Sequence, residues 1–285
     1  MTLYRLREAP DLISPSVVVA FDGWVDAGGA ATAAAEALVT DGHLLATFDS
    51  DALFDYRARR PTLEIIDGRP AELTWPAIEL HRVRMDDRDV LILHGHEPDF
   101  RWQELGEDLL ELARRFSVAE WISLGAIPAA VPHTRPVTLM GIESSPGLLR
   151  GAVQAGPTGL LRVPSAALSV LDMAIARGGL PALGYFAQIP HYVSGAYPSA
   201  SLALLNAVGR HLGVQPSTGD LRDEARQLRA RLDTATAADE DTRAYVERLE
   251  AMVDESRLPA GDDLISDIER FLRDRGTEGS QRPGP

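Results

Sequence analysis

Four short apolar runs, VVVAF at 17–21, VLIL at 90–93, WISL at 121–124 and LGYFAQI at 183–189, each break off into a dense polar cluster. Such runs read as strands buried on both faces, the texture of a parallel sheet. Helical spacing fills the intervals: Ala34 and Leu38 after the first run, Leu105, Leu109 and Leu112 after the second, and amphipathic patterns over 164–177 and 197–212 around the fourth. Strands alternating with helices make an α/β chain built on one sheet. Open sheets of this class gather ligands and partners beyond the carboxyl ends of their strands, so the four polar clusters are expected to meet at one edge.

Segment 62–85 has a different texture, with Asp67-Gly68 as a turn signal between two alternating stretches. A hairpin or meander is expected there, which makes the sheet mixed. The α/β core domain is expected over 1–215, closing near Gly213. From Ser217 the chain turns charged; Ser217 and Asp220 suggest a capping box, and Leu221, Ala225, Leu228 and Leu232 lie along one helical stripe. Tyr245, Leu249 and Met252 mark a second helix and Leu264, Ile268 and Phe271 a third, so 216–275 reads as a helical extension and 276–285 as a disordered tail.

Composition closes several kinds of chemistry. With 285 residues the chain can bury a sizeable core, and with no cysteine it has no disulfide, thiolate ligand or thiol nucleophile. All 28 basic residues are arginine, which excludes Schiff bases, serine–lysine pairs and lysine phosphate cradles. A net charge of −14 argues against binding nucleic acid through its phosphates. The opening MTLYRLREAPDLISP lacks a signal-peptide pattern and no stretch is long and apolar enough to span a bilayer, so a soluble cytoplasmic protein without a membrane partner is expected.

The motifs give members of a site before they give a reaction. In GWVDAGGA, Gly23 and Gly28 are spaced as in a phosphate loop, but Gly29 and Ala30 stand where its lysine and hydroxyl belong and Asp26 would repel phosphate. Small residues that let a helix approach the sheet closely explain it better. Asp22, Trp24 and Asp26 are costly choices for a plain loop. DSDALFDYRARRPT sets Asp49, Asp51 and Asp55 against Arg57, Arg59 and Arg60, either a charge network or, through Arg59 and Arg60, a clamp for a carboxylate or partner tail. HGHEPDFRW offers His94, His96, Glu97 and Asp99 without a recognised metal spacing, and GIESSPG is not a nucleophile elbow. Trp75, Trp102 and Trp121 read as core or interface residues, Trp24 as a loop aromatic.

Taken in order, FDGWVDAGGA, DALFDYRARRP, EPDFRW, VPHTRP and IPHYVSGAYP resemble the proteasome assembly chaperone 2 family, in its high-GC bacterial branch. The resemblance implies a three-layer α/β/α sandwich, phosphorylase/hydrolase-like, with a mostly parallel mixed sheet and a helical C-terminal extension. It further implies homo-oligomers, a trimer among them, and proteasome subunits as partners in a non-enzymatic assembly or regulatory role. The chain ends Arg282, Pro283, Gly284, Pro285, without the hydrophobic–tyrosine ending that relatives use on proteasome α rings, so insertion of this terminus into such a ring is not expected. No catalytic residue, cofactor or metal carries over. The candidate binding residues are Asp22, Trp24, Asp26, Arg59, Arg60, Glu97, Arg101, His133, Arg135 and His191. In the alternative reading, a small-molecule or hydrolytic site, Arg60 and Arg135 hold an anion while His133 or Glu97 serves as acid or base.

Overall fold

The computed structural model describes residues 2–151, 153–156 and 159–257. Its strands are β1 (Tyr4–Leu6), β2 (Ser16–Phe21), β3 (His43–Phe48), β4 (Thr62–Ile66), β5 (Arg69–Thr74), β6 (Ile78–Met85), β7 (Arg88–Gly95), β8 (Glu120–Ala129), β9 (Leu139–Glu143), β10 (Gln154–Ala155) and β11 (Ala182–Pro190). The helices are α1 (Ala30–Val39), α2 (Ser50–Leu53), α3 (Trp102–Arg115), α4 (Ala167–Arg177), α5 (Pro198–Leu212), α6 (Leu221–Ala238) and α7 (Glu240–Arg257).

Nine strands form one mixed sheet in the order β1-β3-β6-β7-β2-β8-β11-β9-β10. The four carrying the apolar runs, β7, β2, β8 and β11, lie side by side and parallel at its centre, with antiparallel pairings on both flanks. Their position explains their composition. Every residue of β2 is buried: Val18 and Ala20 enter a core shared with α1 and α5, while Val17, Val19 and Phe21 enter one shared with α3 and α4. The chain is therefore the expected α/β/α sandwich, with a hydrophobic layer on each face of the sheet. Ala30, Ala31, Ala34 and Ala35 of α1 are fully buried, so the small residues of GWVDAGGA and its sequel serve close helix-to-sheet packing.

Asp67 and Gly68 turn the β4–β5 hairpin with φ of 50° and 75°, the pair of left-handed residues that a type I′ turn needs. This hairpin is a separate two-stranded sheet, and all residues of β4 and β5 are exposed. Of the segment 62–85, β6 is the part that joins the main sheet, pairing antiparallel with β7 across the turn at Asp86 and with β3 on its other side.

The described residues divide into two compact units, the second beginning at Thr234. The first includes the start of α6, where Leu221, Leu228 and Leu232 pack on the α1/α5 core as their spacing predicts. In the second, α7 is the expected helix, but of the expected stripe only Leu249 is buried; Val246 is its other buried position and Met252 is exposed. The expected helix over Leu264, Ile268 and Phe271, and the tail 276–285, lie outside the described residues. Among the described residues no helix is long and apolar enough to cross a membrane.

Candidate functional site

Parallel pairing of β2 with β7 sets Phe21 opposite Gly95, so the residues that follow, Asp22 on one side and His96 and Glu97 on the other, emerge together. Asp22 is the hub. Its Oδ2 and Oδ1 accept from Arg59 Nη1 at 2.7 Å and Nη2 at 3.0 Å, a bidentate clamp, and Oδ1 accepts the Glu97 amide at 2.9 Å. His96 Nδ1 lies 2.6 Å from Oδ2. Burial alone would raise the Asp22 carboxyl, but the bonds from His96 and the Glu97 amide, with Arg59 alongside, hold it below its ordinary range.

Glu97 extends the brace: Oε2 accepts the Trp24 amide at 3.1 Å and Oε1 accepts the amide of Ala167, the first residue of α4, at 2.8 Å. Gly23 makes room for this, since its φ is +105° and a Cβ there would sit 2.5 Å from Glu97 Oε2. Asp26 turns to the start of α1, where Oδ1 accepts the Ala31 amide at 2.6 Å and Oδ2 the Thr32 hydroxyl at 2.5 Å. Burial raises its carboxyl in spite of those bonds. Asp99 accepts the Asp55 amide at 2.8 Å, so the polar residues of HGHEPDFRW tie loops together. What this frame leaves to solvent is aromatic: Trp24 is 65% exposed and Phe100 49%.

A second group forms beyond β8 and β11. His133, 3% exposed, has Nδ1 at 2.7 Å from the Tyr192 hydroxyl and Nε2 at 3.2 Å from Asp233 Oδ1. Arg229 donates through Nε to Asp233 Oδ1 at 2.8 Å and through Nη1 to the His133 carbonyl at 3.2 Å. Beside them opens a cleft of ≈ 530 Å³, walled by His133, Arg135, Arg210 and Arg229 and by Leu202 and Leu228. His191 adjoins through an edge-on ring contact with Tyr192 and keeps Nδ1 3.0 Å from the Ala129 carbonyl.

The ten sequence candidates thus fall into separate neighbourhoods. Asp22, Trp24, Arg59 and Glu97 meet at the β2 and β7 ends, and His133 and Arg135 at the cleft. Asp26 serves α1, Arg60 is exposed, and Arg101, left-handed at the head of α3, pairs with Glu104. Sequence reasoning did not bring in Tyr192, Arg210, Arg229 or Asp233; the Arg229–Asp233 spacing of one helical turn and the Tyr192 that follows His191 were the available signals.

A sequence profile of the PAC2 family matches residues 20–236. A Corynebacterium glutamicum protein of unknown function superposes with a TM-score of 0.83 at 30% identity, over 89% of this chain and 98% of that one. A Mycobacterium tuberculosis proteasome-assembly chaperone homologue gives 0.74 at 34% identity, over 81% of this chain and 99% of its own. An archaeal proteasome activator from Pyrococcus furiosus shares the fold at 17% identity, with a TM-score of 0.64 over 81% of this chain and 97% of that one. No curated protein matches the chain significantly.

Proposed function

The chain belongs to the PAC2 family, and from that membership we propose that it is a non-enzymatic, homo-oligomeric protein-binding factor that acts in proteasome assembly or regulation. The names borne by the mycobacterial and archaeal structures support the partner class. The observation that carries the reading is how the strand-end carboxylates are used. Asp22, Asp26 and Glu97 each accept two or more internal hydrogen bonds, which makes them braces of a rigid frame. The frame presents Trp24 and Phe100, and rigid exposed aromatics are what partner hot spots are built from. In binding assays with purified proteasome α subunits, with light scattering on the same samples, Trp24→Ala and Phe100→Ala are each expected to weaken the complex by about 10-fold or more at unchanged Tm. No complex with wild type, or equal binding by both variants, overturns the reading.

The cleft favours a second reading, capture of a small anion, because three guanidiniums, those of Arg135, Arg210 and Arg229, line one opening beside an apolar wall. A carboxylate or phosphate that fits is expected to raise Tm by roughly 3–5 °C at about tenfold its Kd, a gain lost in Arg210→Ala. A screen of both anion classes with no shift ends this reading.

A further inference from the structure

Away from both neighbourhoods, three potential metal ligands gather on the β6–β7 hairpin. Alternation along β6 puts Glu79 and His81 on the same face as Val83 and Met85, and His94 of β7 shares that face with Val90 and Ile92, the side covered by α1 and α5. Register sets Glu79 directly opposite His94. The imidazoles meet with His94 Nε2 3.1 Å from His81 Nδ1, Glu79 Oε2 lies 3.6 Å from His81 Nε2, and one ligand atom of each residue falls within 4.8 Å of the others.

Two features separate this cluster from an ordinary polar contact. The first is convergence: three residues of metal-binding type share one strand face, and their ligand atoms lie within 4.8 Å of one another. The nitrogen spacing also suits a shared ion, since Zn–N bonds of about 2.0–2.1 Å at a tetrahedral angle hold two nitrogens about 3.3 Å apart. The site is open on one side: the Glu79 side chain is 37% exposed and that of His81 12%.

We propose that Glu79, His81 and His94 form a divalent-metal site of the zinc class, with three protein ligands and a fourth position open to water or to a partner's donor atom. Nitrogen donors disfavour magnesium and calcium, and a carboxylate with two imidazoles suits zinc, cobalt or ferrous iron. The signal in the sequence is Glu79-Leu80-His81, whose i, i+2 spacing shares a strand face, completed by a histidine across the hairpin.

The test uses the full-length, untagged protein, stripped with chelator and titrated with zinc chloride by calorimetry. One ion per chain is expected, weakened by more than about 100-fold in His81→Ala and His94→Ala and by about 10-fold in Glu79→Gln. His43→Ala, at an exposed histidine of the adjacent strand, is expected to bind as wild type. Because a strand-face variant can misfold, wild type supplies a second readout: zinc must shift the imidazole nitrogen resonances of two of the seven histidines. No saturable binding, shifts spread over other histidines, or equal loss in His43→Ala overturns the site.

Discussion

Replacing Gly95 with alanine is expected to destabilise the fold by about 3–5 kcal/mol, the sum of backbone strain and overpacking. Gly95 ends β7 with φ at +141°, a conformation that L residues rarely adopt. A Cβ there would lie 2.1 Å from the Ala77 carbonyl oxygen and 3.0 Å from both the Ala77 carbonyl carbon and Ile78 Cα. These are backbone atoms at the entry of β6, and that backbone is already engaged: His96 donates its amide to the same Ala77 oxygen at 3.0 Å, and Gly95 itself accepts the Asp22 amide at 3.1 Å. Neither strand can yield without moving the Asp22 hub. Domains are stable by only about 5–15 kcal/mol, so the variant is left marginal. Urea unfolding at 25 °C measures it, and a loss below about 1 kcal/mol would show that the strand ends are more pliable than their bonds imply.

The second large effect has the opposite sign. Asp172→Asn is expected to stabilise the protein at pH 7 by about 1–3 kcal/mol. Asp172, on α4, accepts the Trp121 indole N–H at 2.8 Å and the Ser123 hydroxyl at 2.5 Å, and neither partner is cationic. Burial pushes its carboxyl up to about 6, against the two hydrogen bonds that favour the charged form. The native state therefore binds the proton more tightly than the unfolded chain, whose carboxyl titrates near about 3.9. Stability from this group is greatest below that value and declines as pH rises to about 6, by about 3 kcal/mol in all. Asparagine keeps an acceptor for both donors without the charge, so the difference between wild type and variant should vanish near pH 4 and reach full size near pH 7. A difference that is flat across this window sinks the account. Asp22 contributes the reverse slope, since its depressed value adds stability that is lost on acidification, which is why the comparison must be between the two proteins.

The layers of this fold were legible because a parallel strand covered on both faces has no polar positions to spare: VVVAF reads the same in the sequence as in the buried row of β2. Asp67-Gly68 announced its turn for an equally local reason, the left-handed pair that a type I′ hairpin demands. The candidate residues were harder to place because their partners are distant. Arg59 reaches Asp22 across 37 positions, Glu97 reaches Ala167 across 70, and His133 reaches Asp233 across 100. Residue type told which side chains were expensive, but only the strand register told that Asp22 and Glu97 spend their oxygens on backbone amides and guanidinium. The alternating apolar residues of β4 and β5 misled in a different way. Leu63, Ile65 and Leu73 have the spacing of a half-buried strand, yet no layer covers them, since this hairpin is not part of the main sheet.

That hairpin gives the molecule a chemical address. Its apex is open, with nothing within 4 Å of where a Gly68 Cβ would stand, and the neighbouring Arg69 is fully on the surface. Since the chain contains no lysine, Arg69→Lys would install its one side-chain amine, at the tip of an arm that contributes to neither core and with the charge unchanged. Ordinary amine coupling would then attach a fluorophore or crosslinker at this tip and at the chain's α-amino group, turning the arm into a reporter of whatever approaches it.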